Sequence, residues 1–204
     1  EYWNTTTYVQ RVAFQGKPNN GVKTVVTQGA DKYKLIGNPY PSAMDADLFM
    51  ENLNNKDLID GALYFWTHNT AITQSGSAYV YSSNDYAVYT LTGGTSGTPV
   101  KTPAGSGGDA PSGQIAAGVA FFVKSTKAGS FEFNNSMRIS NQAANSQFFK
   151  QSNTKKTASA EKSRVWLNLS NSDGIFKQML VGYIAGASND LDKLYDGATF
   201  AGNT

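Results

Sequence analysis

Apolar and polar side chains alternate with a period of two through most of this chain, which predicts strands rather than helices. Tyr8, Gln10, Val12 and Phe14 alternate with Val9, Arg11 and Ala13. Gly16 to Gly21 is a turn cluster, and Val22 to Val26 reads as the returning arm of a hairpin. Tyr33-Lys34-Leu35-Ile36 is a further short strand. In Ala62 to His68, the side chains of Leu63, Phe65 and Thr67 face one way and those of Tyr64, Trp66 and His68 the other. A strand apolar on both faces belongs in the middle of a layered β structure. Tyr79-Val80-Tyr81 and Tyr86 to Leu91 follow as strands. The alternation is cleanest over Ile115, Ala117, Val119, Phe121 and Val123, and Phe131 with Phe133 alternates around Glu132. Met137 and Ile139 point together, and Phe148-Phe149 is expected to pack back onto the core.

The period changes once. Leu35-Ile36 runs into Gly37-Asn38-Pro39-Tyr40-Pro41, where each proline lacks an amide donor and holds its predecessor in extended or turn geometry. The spacing leaves cis or trans open at both X-Pro bonds. Ser42, with Asp45 three residues on, fits a helix cap, and Met44, Leu48, Phe49 and Leu53 recur at helical spacing. One short amphipathic helix is therefore expected over about 43–53.

Two stretches carry no period. Thr92 to Gln114 is rich in Gly, Ser, Thr and Pro, and a loop of that length either binds something or moves. Residues 151–163 read as a linker. Beyond it, Val165, Leu167 and Leu169 alternate with Trp166 and Asn168, Ser172-Asp173-Gly174 turns the chain, and Ile175 to Ile184 returns. The pattern as a whole predicts an all-β chain. Residues 1–150 form a two-layer β-sandwich, jelly-roll-like, with one short helix, and residues 164–204 supply the first strands of a second β domain. A single hairpin is marginal alone. It needs further strands, or it must lean on the first domain.

Composition narrows the picture only modestly. The 204 residues carry a net charge of +2 with no basic run, so nothing resembles a nucleic-acid footprint. Cysteine is absent, which excludes disulfides and thiolate metal sites. No stretch approaches the roughly 18 apolar residues of a membrane span.

Catalytic constellations are weak. The one histidine, His68, has no nucleophile-elbow serine to serve, and no glutamate sits in a glycosidase-like aromatic setting. Asp45 and Asp47 read as first-turn helix charges. The chain is not expected to be an enzyme and no cofactor is expected, with calcium the one ion to consider. Asp190, Asp192 and Asp196 crowd hard oxygen donors into one loop, the chemistry calcium requires, although the spacing is not that of an EF-hand. Tyr64, Trp66, Tyr81 and Tyr86, with Tyr79 and Tyr89 nearby, fall on neighbouring expected strands. Exposed, they would offer flat faces for sugar stacking; buried, they are core.

Gly37 to Asp47 resembles a GNPYPSAIDAD signature found in large secreted and surface proteins of the Bacteroidota. Further stretches resemble the same family in the same order: Phe14 to Gly21, Leu63 to Asn69, Asn84 to Ala87, Phe133 to Arg138, Val165 to Asn171 and Leu180 to Tyr183. In that family the region adjoins a C-terminal sorting signal read by the type IX secretion system. The resemblance implies a secreted or outer-surface location, with the outer-membrane translocon and its attachment machinery as partners. It also implies that residues 164–204 begin a sorting-type domain. The family pattern continues beyond Asn203-Thr204, so the chain reads as a fragment. On this reading it is a structural or adhesive module, with a carbohydrate-binding module as the alternative.

Overall fold

The computed structural model describes residues 13, 15–67, 73–80, 82–97, 110–141, 144–145, 163–171 and 176–200. Its strands are β1 (Lys23–Val26), β2 (Lys32–Gly37), β3 (Met44–Asp45), β4 (Ile59–Trp66), β5 (Thr73–Ser75), β6 (Ala78–Val80), β7 (Tyr86–Thr90), β8 (Gly93–Thr95), β9 (Gln114–Ile115), β10 (Ala120–Ser125), β11 (Ser130–Phe133), β12 (Ser163–Ser170) and β13 (Phe176–Tyr183). One α-helix, α1 (Ala46–Glu51), interrupts them. The chain is an all-β sandwich with one short helix.

The principal sheet is antiparallel, in the order β2-β10-β4-β7-β8. Its inner face presents Ile36, Ile59, Leu63, Phe65, Ala87, Tyr89, Phe121 and Val123. Against it lies a second layer made of α1 and two short strand pairs, β1-β11 and β3-β9. Phe49 from α1 stacks on Phe133 at 4.8 Å and meets Phe121 edge-on at 5.7 Å, so one ring joins the two layers. Asn55, fully buried, closes the second layer. Its amide donates to the carbonyls of Phe49 and Glu132, and its oxygen accepts from Glu132 N. A side chain thus replaces a strand partner that the loop after α1 cannot supply.

The helix is shorter than the period suggests. Met44 and Asp45 pair with Ile115 and Gln114 as a strand, so the helix begins only at Ala46. The cap is Asp45, whose carboxylate accepts from Leu48 N; Ser42 instead accepts from Arg138. β1 pairs with β11, in register Lys23↔Phe133 to Val26↔Ser130. The strand expected at 8–14 as its partner lies outside the described residues apart from Ala13. The expected loop from Thr92 begins as a strand, because Gly93–Thr95 forms the sheet edge β8 with no side-chain period to announce it. His68, Tyr81, residues 98–109, Phe148-Phe149 and all of the expected linker except Ser163 lie outside the described residues.

The hairpin expected over 165–184 is present as β12-β13, with Val165 opposite Val181 and Leu167 opposite Met179. It leans on the sheet edge. Trp166 Nε1 donates to Gly94 O, and Gln178 Oε1 accepts from Ser96 N, so side chains satisfy backbone groups of β8 and of the residue after it. A boundary at 164 does not divide the packing. After the hairpin the chain turns back and Leu194 enters the main core, while Phe200 lies on the outer face of the principal sheet. Leu91 N donates to Leu194 O and Thr92 Oγ1 to Tyr195 O. Gly61 shows why this strap fits: its φ is +83°, and a Cβ there would stand 2.6 Å from Asp196 O.

Candidate functional site

Three of the stretches that resemble the family signature converge. Asn38, almost fully buried, donates through its amide to the carbonyls of Ser42 (2.8 Å), Ile115 (3.0 Å) and Ala116 (3.2 Å), and its oxygen accepts from Tyr40 N (3.0 Å). The proline corner is pinned in this way, and no cis peptide occurs among the described residues. Tyr40 is buried with its hydroxyl donating to Gly21 O. Arg138 lies over the Tyr40 ring, 5.4 Å from its centre, and donates to Ser42 Oγ and Asn20 Oδ1. Gly21 N donates to Asn135 Oδ1, and Asn19 donates to Pro39 O. Burial raises the Tyr40 phenol, partly offset by Arg138, with Glu132 raising it further. Loop 19–21, corner 37–45 and loop 134–139 therefore hold one another. Asp47 accepts from the buried Tyr89 hydroxyl, which burial first and this carboxylate second push upward in pKa.

The aromatic residues separate into three places. Tyr64 is 2% exposed on the outer face of the sheet, edge-on to Tyr33 (5.8 Å) and Phe200 (5.2 Å). Burial raises its phenol first, followed by Tyr33 and Asp60. Tyr86 stacks flat on Phe200 at 4.4 Å and meets Trp66 edge-on at 5.1 Å; Trp66, Tyr86 and Phe200 are each partly buried. Tyr89 faces the inner core. Tyr79 is 66% exposed on the separate β5-β6 hairpin. The structure thus brings Tyr64, Trp66 and Tyr86 together, packed edge-on to their neighbours except where Tyr86 lies flat on Phe200. Tyr81 is outside the described residues. Neither Phe200 nor Tyr33 stood out in the pattern, since each is one ring beside a turn.

The acidic turn is internally satisfied. The Asp192 carboxylate accepts from Ser188 N and Ser188 Oγ, and Asp196 Oδ2 accepts from Asp192 N. Asp190 is exposed. Among the described residues no group of three His, Cys, Asp or Glu is placed to hold a metal ion. A concave feature lies elsewhere, a groove of about 1050 Å³ between the hairpin and the strap. Leu167, Leu169, Met179 and Val181 line one wall and Tyr195 to Thr199 the other, with Thr90 and Thr92 beneath. Lys177, Tyr195 and Asp196 also line it, among mostly apolar side chains. No helix among the described residues is long and apolar enough to cross a membrane.

The whole chain, residues 1–204, matches the family model of a domain of unknown function, DUF8693, and the protein belongs to that family. No curated protein and no solved structure matches it.

Proposed function

We propose that this member of the DUF8693 family is a non-catalytic structural and adhesive module of a secreted or cell-surface protein. On this reading it is exported by type IX secretion and adjoins its sorting signal. One observation carries the reading: the signature residues Asn38, Tyr40, Ser42 and Asp45 engage their polar atoms with carbonyls, amides and an arginine of the same chain. A signature of that kind specifies a scaffold and leaves few of its groups for a substrate. The resemblance to exported Bacteroidota proteins adds the location and the partners, the outer-membrane translocon and its attachment machinery.

Localisation tests it. The full-length tagged protein is followed in the organism that encodes it, with and without a working type IX translocon. Delivery to the surface or medium in the first strain and periplasmic retention in the second is the expected result. Equal delivery in both strains would remove the export reading. A carbohydrate-binding face is the second reading, favoured by the partial exposure of Trp66 and Tyr86. The burial of Tyr64 and the flat stacking of Tyr86 on Phe200 count against it.

A further inference from the structure

The β12-β13 hairpin turns one face to the sheet edge and the other to water. The second face is apolar along nearly its whole length. Val165, Leu167, Leu169, Met179, Val181 and Tyr183 are each between 42% and 79% exposed. The register sets them in cross-strand pairs, Val165 beside Val181 and Leu167 beside Met179, so they form one continuous patch. Exposure of this degree leaves on the order of 600 Å² of mostly apolar surface open, the upper end of what a monomeric protein shows. Each strand is eight residues long and pairs only with the other among the described residues, without the proline that often blunts such edges.

We propose that this face is a self-association surface whose occupant is the same face of a second copy of the chain. Area and charge both support this occupant. Two copies would together bury about 1,200 Å², the lower limit for a specific protein interface. Lys177 is the one charged side chain on the face and sits at one end, opposite Leu169; Tyr183, opposite Ser163, sits at the other. A two-fold axis running across the strands at the middle of the patch places each Lys177 against the partner's Tyr183 end. It keeps the two ammonium groups apart and gives each an aromatic ring to approach. The groove between hairpin and strap gives the incoming hairpin a concave seat, with Leu191, 83% exposed, at its rim. Area alone does not set affinity, so association is sought across the ~micromolar range. The inference is independent of the export reading.

Sedimentation velocity on the 204-residue chain from ~5 to 200 µM tests it. The expected result is a concentration-dependent shift from one to two chain masses. Val181→Glu weakens that association at least tenfold without altering the circular dichroism spectrum, while Leu53→Glu, on a still more exposed leucine elsewhere, leaves it unchanged. The chain has no cysteine, so single-cysteine variants report proximity cleanly. A bis-maleimide whose span exceeds the ~10 Å between packed sheets cross-links Val181→Cys into a dimer and leaves Leu53→Cys monomeric. A chain that stays monomeric at 200 µM overturns the proposal, as does a dimer that survives Val181→Glu.

Discussion

Replacing Asn38 by alanine removes one acceptor and a donor group shared among three carbonyls, inside a turn that water barely reaches. A neutral hydrogen bond contributes about 0.5–1.5 kcal/mol net, and a buried group left unpaired costs about 1–3 kcal/mol. The third carbonyl contact, at 3.2 Å, is the weakest and shares a hydrogen. Three effective bonds lost, with Tyr40 N and two carbonyls left without this partner, give about 3–4 kcal/mol. In a chain of this size that lowers the melting temperature by roughly 6–16 °C. Asn19→Ala is the control, because Asn19 is exposed and makes a single bond to the same turn; it should cost under about 1 kcal/mol. Asn38→Asp adds a test of sign. Its carboxylate would face three carbonyls, so its folded pKa lies above the usual ~3.9. Stability of that variant is therefore greatest below the unfolded value and falls as pH rises through the folded one. Urea unfolding followed by circular dichroism reads all three variants. A loss below about 1 kcal/mol for Asn38→Ala would show that the corner does not depend on this clamp.

Other consequences follow from single contacts. Gly61→Ala meets both an unfavourable φ and the Asp196 carbonyl, whereas Gly29→Ala meets a similar φ of +97° with nothing within 4 Å. The first should cost about 2–4 kcal/mol and the second about 1–2 kcal/mol, the difference in urea midpoint reporting the strap. Equal costs would mean that the strap does not press on Gly61. Tyr89 and Tyr64 both titrate above the ordinary phenol value of 10.0 in the folded chain, chiefly through burial. Their contribution is complete below that pH and is lost as pH rises beyond it. Unfolding midpoints should fall above pH ~10, and Tyr89→Phe should flatten that fall at the expense of about 1 kcal/mol at neutral pH for the bond to Asp47. An unchanged alkaline slope in Tyr89→Phe would remove Tyr89 from the explanation.

Strands with a clear alternation were legible in the sequence. Leu63 and Phe65 against Tyr64 and Trp66 indicated a central strand covered on both sides, and β4 lies at the middle of the sheet with cover on both. β8 was not legible, because Gly93-Gly94-Thr95 has almost no side chains to alternate; its identity as a strand comes from pairing with β7. The helix was visible but placed too early, since Met44 satisfies a helical spacing while its backbone is captured by Ile115. Asp45 was read as a first-turn charge, and the tertiary pairing of Met44 makes it the cap. The aromatic set was harder. A period of two assigns rings to a face but says nothing of what covers that face. The cover is Phe200, more than a hundred residues from Tyr86 and preceded by turn chemistry. The groove followed the same logic: apolar alternation revealed the hairpin, and only its seating on β8 showed which face stays open.

Tryptophan emission from Trp66 alone, in a chain carrying Trp3→Phe and Trp166→Phe, tests the scaffold reading most directly. The account predicts blue-shifted emission, weak quenching by acrylamide and no response to a panel of soluble polysaccharides, with quenching increased by Phe200→Ala. Red-shifted, readily quenched emission that one polysaccharide protects would contradict it and make the outer face of β4 and β7 a glycan platform.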